Sequence, residues 1–187
     1  MVGAPPLSLN QCPVPTQTDW DPLATDENVT QREHALQTAL LAEQEAGKDA
    51  HEIVTSSLLH DIGHLLLDEH AGEESFLQED LEHEAVGQAW LERYFSPTVT
   101  LPVLYHVAAK RYWTSVDQEY YDGLSISSKR SLEVQGGPFT PEEAEDFIKW
   151  EGAQDAVALR LWDDRGKARG KETPPLEYFK PHVMKCL

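Results

Sequence analysis

The amino-acid sequence predicts an all-α fold. Apolar residues recur at three- and four-residue spacing, capping boxes open two of those runs, and no segment alternates with the period of a strand. A length of 187 residues with 40% hydrophobic content suits one domain with a real core, and no internal repeat divides it. The expected layout of residues 1–187 is a single helical bundle. Residues 1–25 form an irregular N-terminal arm, 26–167 the helical core, and 168–187 an extended C-terminal tail.

Each element has a local reason. Five prolines without helical period make the first 25 residues irregular. Thr30-x-x-Glu33 is a capping box, and Ala35, Leu36, Ala39, Leu40 and Ala42 follow at helical spacing up to Gly47. Asp49-x-x-Glu52 opens a second helix that carries Ile53, Val54, Leu58 and Leu59 into His60-Asp61-Ile62-Gly63-His64, where the glycine permits a bend. The acidic stretch Asp68 to Glu79 reads as a loop. Asp80 caps a third helix with Leu81, Ala85, Ala89 and either Trp90 or Leu91 on its apolar face, ending before Pro97. A fourth begins near Leu101-Pro102, where proline is welcome in a first turn, and carries His106. After a mixed stretch, Gln135-Gly136-Gly137-Pro138 marks a turn, Thr140-Pro141-x-Glu143 starts another helix, and a last one spans about 154–167. The proline-containing end from Lys171 to Leu187 reads as extended.

Charge and composition exclude several partners. Thirty-three acidic against fifteen basic residues give a formal charge of −18, which repels nucleic-acid backbones. The longest aliphatic run is Leu65-Leu66-Leu67, too short for a bilayer, and the first fifteen residues lack the basic start and apolar stretch of a signal peptide. A cytoplasmic location without membrane or nucleic-acid partners is expected. Cys12 and Cys186 lie near opposite ends, so reduced thiols are expected and any metal must rest on imidazole and carboxylate.

The chemistry-bearing pattern is His34, the pair His60-Asp61, His64, His83, His106 and a late Asp163, spread over separate helices. A solitary helical histidine is ordinarily a surface or hydrogen-bonded core residue, the reading given to His51, His70 and His182. Adjacent helical residues point about 100° apart, so His60 and Asp61 clasp one ion only across a bend, and a carboxylate also bridges two ions through its two oxygens. Imidazole and carboxylate donors suit iron, manganese, cobalt or zinc alike. Lys110 lies one turn beyond His106, and Arg160 three residues before Asp163, so each shares a helical face with a candidate ligand. Either they meet an anionic substrate, for which arginine offers a planar fork, or they pair with the many carboxylates. Gln37, one turn after His34, either touches substrate or supports the ligand.

The order His, His-Asp, His, His, Asp over residues 34 to 163 resembles the HD-domain superfamily of metal-dependent hydrolases and oxygenases. The resemblance implies that His34, His60 and Asp163 hold one ion, His83 and His106 a second, with Asp61 shared. Asp163 rather than Asp164 follows the Arg160-Leu161-Trp162 segment, as the family's closing motif requires.

A closer likeness rests on Glu27, His34-Ala35-Leu36-Gln37, the HDIGH segment, His106 with Lys110, Leu124-Ser125-x-x-Ser128-x-x-Ser131-Leu132, the Gln135 turn and Arg160-Leu161-Trp162-Asp163. Together these resemble the PhnZ/TmpB-type organophosphonate oxygenases, relatives of myo-inositol oxygenase. That likeness implies a mixed-valent Fe(II)/Fe(III) pair, O2 as co-substrate and cleavage of the carbon–phosphorus bond of a 1-hydroxyphosphonate. It also implies substrate contacts from Glu27, Gln37, His64, Lys110, Ser128, Ser131 and Arg160. For Ser128 and Ser131, helix capping is the alternative. No catalytic side chain beyond the metal ligands is implied.

The implied substrate is 1-hydroxy-2-(trimethylammonio)ethylphosphonate or 2-amino-1-hydroxyethylphosphonate, giving phosphate with glycine betaine or glycine. An upstream 2-oxoglutarate-dependent hydroxylase is the implied functional partner. The relatives carry a tyrosine where this chain has Ala24. A trimethylammonium head favours aromatic faces, and Trp20, Tyr112, Trp113, Tyr120 and Tyr121 are available unless they pack the core or its rim. The rival readings are an HD-type metal-dependent phosphohydrolase and a catalytically silent metal-binding module.

Overall fold

Thr30 caps the first helix as its spacing predicts. Its hydroxyl accepts from Glu33 N at 3.1 Å, Glu33 Oε2 accepts from Thr30 N at 2.8 Å, and α1 (Gln31–Ala46) runs to Gly47, whose φ of 100° releases the chain. The computed structural model describes residues 29–67 and 82–187. The N-terminal arm, the acidic loop at 68–79, the Asp80 cap and Leu81 lie outside the described residues.

Among the described residues the fold is all-α. The chain continues through α2 (His51–Leu59), α3 (Ile62–Leu66), α4 (His83–Leu91), α5 (Pro97–Val116), α6 (Gln118–Gly123), α7 (Ile126–Val134), α8 (Pro141–Phe147), α9 (Ala153–Arg165) and α10 (Leu176–Cys186). The second capping box also forms, with Thr140 and Glu143 exchanging bonds at the start of α8.

Several boundaries differ from the expectation. Ala50, not Asp49, precedes α2, and no side chain caps it. The fourth predicted helix starts earlier, with Pro97 in its first turn, and Pro102 lies inside α5. The mixed stretch resolves into α6, capped by Asp117 on Tyr120 N, and α7, capped by Ser125 on Ser128 N. Short capped helices carry too few apolar residues to announce a period.

The extended C-terminal tail is corrected. Residues 176–186 form α10, with Pro181 inside it. Leu176, Phe179, Val183 and Cys186 recur at helical spacing and pack against the main core, Phe179 being fully buried. Burying that face outweighs the hydrogen bond that Pro181 removes.

The main core lies where α1, α2, α5, α9 and α10 meet, around Ala39, Val54, Leu58, Val103, Leu159, Trp162 and Phe179. A smaller cluster of Ala109, Phe147, Ala153 and Ala156, with Tyr112 packed on it, joins α5, α8 and α9. Tyr112 therefore belongs to the packing. Helix α5 touches α2, α4, α6, α8 and α9, so the one long helix carrying His106 is anchored on every side.

Gly63 has a different role from the bend expected of it. The break falls at His60 and Asp61, between α2 and α3, and a Cβ on Gly63 would meet the His83 carbonyl oxygen at 1.8 Å. Opposite, a Cβ on Gly87 would lie 3.3 Å from Gly63 N. The two glycines let α3 and α4 approach at backbone distance, which brings His83 beside the HD pair. Glu82, the residue before α4, holds a left-handed conformation with φ 50°.

Candidate metal centre

Six side chains from six segments converge. His34 projects from the first turns of α1, His60 ends α2, Asp61 precedes α3, His83 opens α4, His106 lies midway along α5, and Asp163 sits in the last turn of α9. His34, His60, His106 and Asp163 are each at most 3% exposed.

Three rings are aimed from behind by backbone. His34 Nδ1 donates to the Gly166 carbonyl at 3.1 Å, His60 Nδ1 to Ser57 at 2.9 Å and His106 Nδ1 to Val103 at 2.7 Å. A carbonyl only accepts, so each Nδ1 carries a proton, and wherever such a ring is neutral its Nε2 is a bare lone pair. His83 differs, its Nδ1 lying 3.4 Å from Glu84 Oε2.

The Nε2 nitrogens face one another. His34 and His60 Nε2 are 3.2 Å apart, and His83 and His106 Nε2 are 3.1 Å apart. Two opposed lone pairs repel in a buried site unless something positive lies between them. An ion with metal–nitrogen bonds of about 2.05 Å sets neighbouring ligands about 2.9 to 3.3 Å apart, between a right-angle and a tetrahedral edge. The donor set fits such an ion at both pairs.

Asp61 divides its oxygens between the pairs. Oδ2 is 3.5 Å from His34 Nε2 and 3.4 Å from His60 Nε2, while Oδ1 is 3.8 Å from His83 Nε2 and 3.6 Å from His106 Nε2. His34, His60 and Asp61 make one set of converging donors; Asp61, His83 and His106 make another. Asp163 Oδ1 joins the first, 3.2 Å from His34 Nε2 and 3.9 Å from His60 Nε2.

The electrostatics agree with that donor set. Burial pushes His60 down, His83 well down, and His106 to about 4, which keeps these imidazoles neutral. Burial would raise both carboxyl groups, yet His60, His64 and His34 hold Asp61 below the usual range, and Arg160 with Lys167 holds Asp163 far below it. Burial also pulls His34 down, but its hydrogen bond to Asp163 and the charges of Asp163 and Asp61 leave it raised. Two ionised carboxylates in a buried site thus favour positive charge beside them.

The neighbours sort into two groups. His64 stacks on His83 with ring centroids 3.9 Å apart and 17° between planes, its Nε2 3.9 Å from Asp61 Oδ1. Lys110, 3% exposed, donates to Ser131 Oγ at 2.8 Å, and burial together with Arg160 lowers its amine to about 7. Ser131 Oγ donates to the Ser128 carbonyl at 3.1 Å, and Ser125 Oγ donates to Ser128 Oγ at 3.1 Å. His64 thus borders the site from α3, and Lys110 ties α5 to the serines of α7.

Gln37 and Arg160 already bond to protein. Gln37 Nε2 donates to the Ala168 carbonyl and its Oε1 accepts from Ala168 N, both at 3.0 Å, in a side chain 1% exposed. Gln37 thereby clamps the segment after α9. That segment supplies the Gly166 carbonyl to His34 and brings Lys167 Nζ within 3.7 Å of Asp163 Oδ1. Arg160 grips Asp163 and Asp164 together. Lys167 is a site cation the sequence reading did not single out, although it lies four residues after Asp163, the same interval that separates Lys110 from His106. Glu27, Ala24 and Trp20 lie outside the described residues.

No family-level sequence profile matches the chain. It is 47% identical over 165 residues to hydroxymethylphosphonate dioxygenase of Gimesia maris, covering 87% of this chain and 80% of the relative. It is 41% identical over 161 residues to the [1-hydroxy-2-(trimethylamino)ethyl]phosphonate dioxygenase (glycine-betaine-forming) of Leisingera caerulea, covering 86% and 81%. With this degree of identity across most of both partners, the chain belongs to the family of phosphonate dioxygenases.

Proposed function

We propose that this protein uses O2 to cleave the carbon–phosphorus bond of a 1-hydroxyphosphonate at a mixed-valent pair of iron ions. The observation that carries the proposal is the division of Asp61 between two opposed histidine pairs, in a chain whose relatives are phosphonate dioxygenases. His34, His60 and Asp163 would hold one ion, His83 and His106 the other, with Asp61 shared. The ions, when bound, supply the redox and Lewis-acid chemistry.

The chain's own residues bind and orient. Lys110 and Ser131, already hydrogen-bonded, would present a buried cation and hydroxyl to phosphonate oxygens, with His64 and Ser128 as further contacts. In a chain of net charge −18 the anion pocket has to be built inside, and Lys110, Arg160 and Lys167 are its cations. The burial of His34, His60 and His106 would keep bulk water from the reacting carbon.

Atoms balance for a hydroxyl-bearing carbon with substituent R. R–CH(OH)–phosphonate plus one O2 gives R–carboxylate plus phosphate. With trimethylammoniomethyl as R, the reading we adopt, the product is glycine betaine. With hydrogen as R the substrate is hydroxymethylphosphonate and the product formate, a second reading favoured by the 47% identity to the Gimesia maris enzyme. The C1 hydroxyl must come from a preceding hydroxylation, for which a 2-oxoglutarate-dependent enzyme acting in the cytoplasm is the proposed partner.

The test is anaerobic reconstitution with Fe(II), then addition of each phosphonate and O2 while phosphate and O2 are followed together. One O2 consumed per phosphate, with an EPR signal from a coupled Fe(II)/Fe(III) pair, is expected. Phosphate release that continues without O2 would establish the phosphohydrolase instead. Turnover of the 2-amino, 2-trimethylammonio or unsubstituted phosphonate assigns R.

A further inference from the structure

Asp163 uses its two oxygens for different purposes. Oδ1 faces His34 and His60, whereas Oδ2 takes a hydrogen bond from Arg160 Nη1 at 2.6 Å. A carboxylate held this way offers one oxygen to an ion and has the other anchored. The anchor is itself held. Arg160 Nη2 donates to Asp164 Oδ1, and Nε donates to Asp164 Oδ2 at 3.0 Å and to the Tyr120 hydroxyl at 3.1 Å. The Tyr120 hydroxyl in turn donates to Asp164 Oδ2. Burial raises the Tyr120 phenol, so it remains a donor at any ordinary pH.

The triangle joins two elements. Arg160, Asp163 and Asp164 share α9, and Tyr120 comes from α6, its ring 5.8 Å from that of Trp113 on α5. Trp113 Nε1 donates to the Val157 carbonyl of α9 at 3.0 Å, so the wall that carries Tyr120 is tied to the helix it braces. The guanidinium is only 5% exposed, and each of its three nitrogens already donates to protein. Two of an arginine's five N–H groups then remain for anything else. A guanidinium released from Asp164 would be free to swing or to draw Asp163 away from the histidines.

We propose that Asp164 and Tyr120 are positioning residues of the metal centre, holding Arg160 so that Asp163 presents Oδ1 alone to the ion shared with His34 and His60. Neither residue touches the candidate ligands' donor atoms; both act through Arg160. The inference rests on the two-ion reading above. Outer partners of metal ligands typically contribute about 10- to 100-fold in metal affinity.

The experiment titrates Co(II) into the metal-free full chain and compares the parent with Asp164→Asn and Tyr120→Phe by visible absorption and circular dichroism. Expected is a weakening of Co(II) binding of about tenfold or more in Asp164→Asn, with altered visible bands, and a smaller change of the same sense in Tyr120→Phe. His83 and His106 do not contact the triangle, so the loss falls on one of two binding steps. Folded variants with parental affinity and spectra would overturn the inference while leaving the two-ion reading intact. Failure of the parent itself to bind two Co(II) would overturn both. Should Asp164→Asn fail to fold, Tyr120→Phe decides alone, since it removes one hydroxyl.

Discussion

Two clusters of histidine, carboxylate and lysine lie in this molecule, and they are wired in opposite ways. Beneath α10, Lys185 Nζ donates to His51 Nε2 at 3.0 Å, His51 Nδ1 meets His182 Nδ1 at 3.0 Å, and His182 Nε2 meets Glu43 Oε1 at 3.3 Å. An ammonium only donates, so every proton in that chain is assigned: His51 Nδ1 donates to His182, and His182 Nε2 donates to Glu43. The Tyr178 hydroxyl completes Glu43 at 2.9 Å. Each of these contacts pairs a donor with an acceptor. At the other cluster the backbone has claimed the Nδ1 protons of His34, His60 and His106, and the Nε2 nitrogens confront each other in two pairs. Residue types are nearly the same; a closed circuit of donors makes a clasp, and Nε2 atoms turned towards one another make a candidate metal site.

The largest expected effect breaks that contrast directly. His60→Ala should abolish O2-dependent phosphate release, by on the order of a thousandfold or more, and lower bound metal. His182→Ala should leave metal content and turnover at the parental level while destabilising the fold by about 1 to 3 kcal/mol, since buried Glu43 loses a donor. Metal analysis and denaturant unfolding on the two variants check both halves. A metal-depleted His182→Ala would erase the distinction.

Gly63→Ala sharpens the comparison within the metal centre. A Cβ 1.8 Å from the His83 carbonyl oxygen must push α4 away, so the site of His83 and His106 should lose its ion before that of His34 and His60. Metal stoichiometry falling from two towards one, with activity lost, is the expected result.

The two lysines provide a third contrast. Lys110 is buried and lowered to about 7, whereas Lys185 lies on an exposed part of the clasp. Lys110→Met should reduce kcat/KM for the phosphonate by about 30-fold or more, through loss of a buried charged partner. The sign of its stability effect follows from linkage. The folded-state value lies below the ordinary lysine value of about 10.4, so the unfolded chain binds the extra proton between those limits and parental stability rises with pH across them. As pH falls towards 7 the cost of the buried ammonium returns. Lys110→Met should therefore gain stability over the parent at pH 6 and lose that advantage towards pH 10, as measured by urea unfolding of the metal-free protein.

Tyr178→Phe carries the smallest expected effect. It removes one hydroxyl from Glu43 and should cost about 1 kcal/mol without altering metal content or kinetics.

Much of the site was legible before any coordinates because metal chemistry restricts residue type. His34, His60, Asp61, His83, His106 and Asp163 were separable from His51 and His182 by their order along the chain and the likeness that order carries, and the structure brings the six together. Helices with capping boxes were legible for a similar reason, since Thr30 and Glu33, or Thr140 and Glu143, satisfy each other within one turn. Other features escaped. Helix α10 was hidden by Pro174, Pro175 and Pro181, because local propensity disfavours what packing against α2 makes favourable. Tyr120 reads as an aromatic face in sequence, yet its hydroxyl is committed to Asp164 and Arg160.

The chain alone determined which donors exist, their order, and most helix starts, for these depend on side-chain chemistry and on partners within four residues. Tertiary structure decided what each polar atom is left to do. Ala168, 131 residues from Gln37, consumes that amide; Gly166, 132 residues from His34, fixes the tautomer of that ring. Hydrogen bonds of such separation form only when the packed helices bring backbone and side chain together, and that packing decides whether a histidine closes a clasp or turns its second nitrogen into the candidate metal centre.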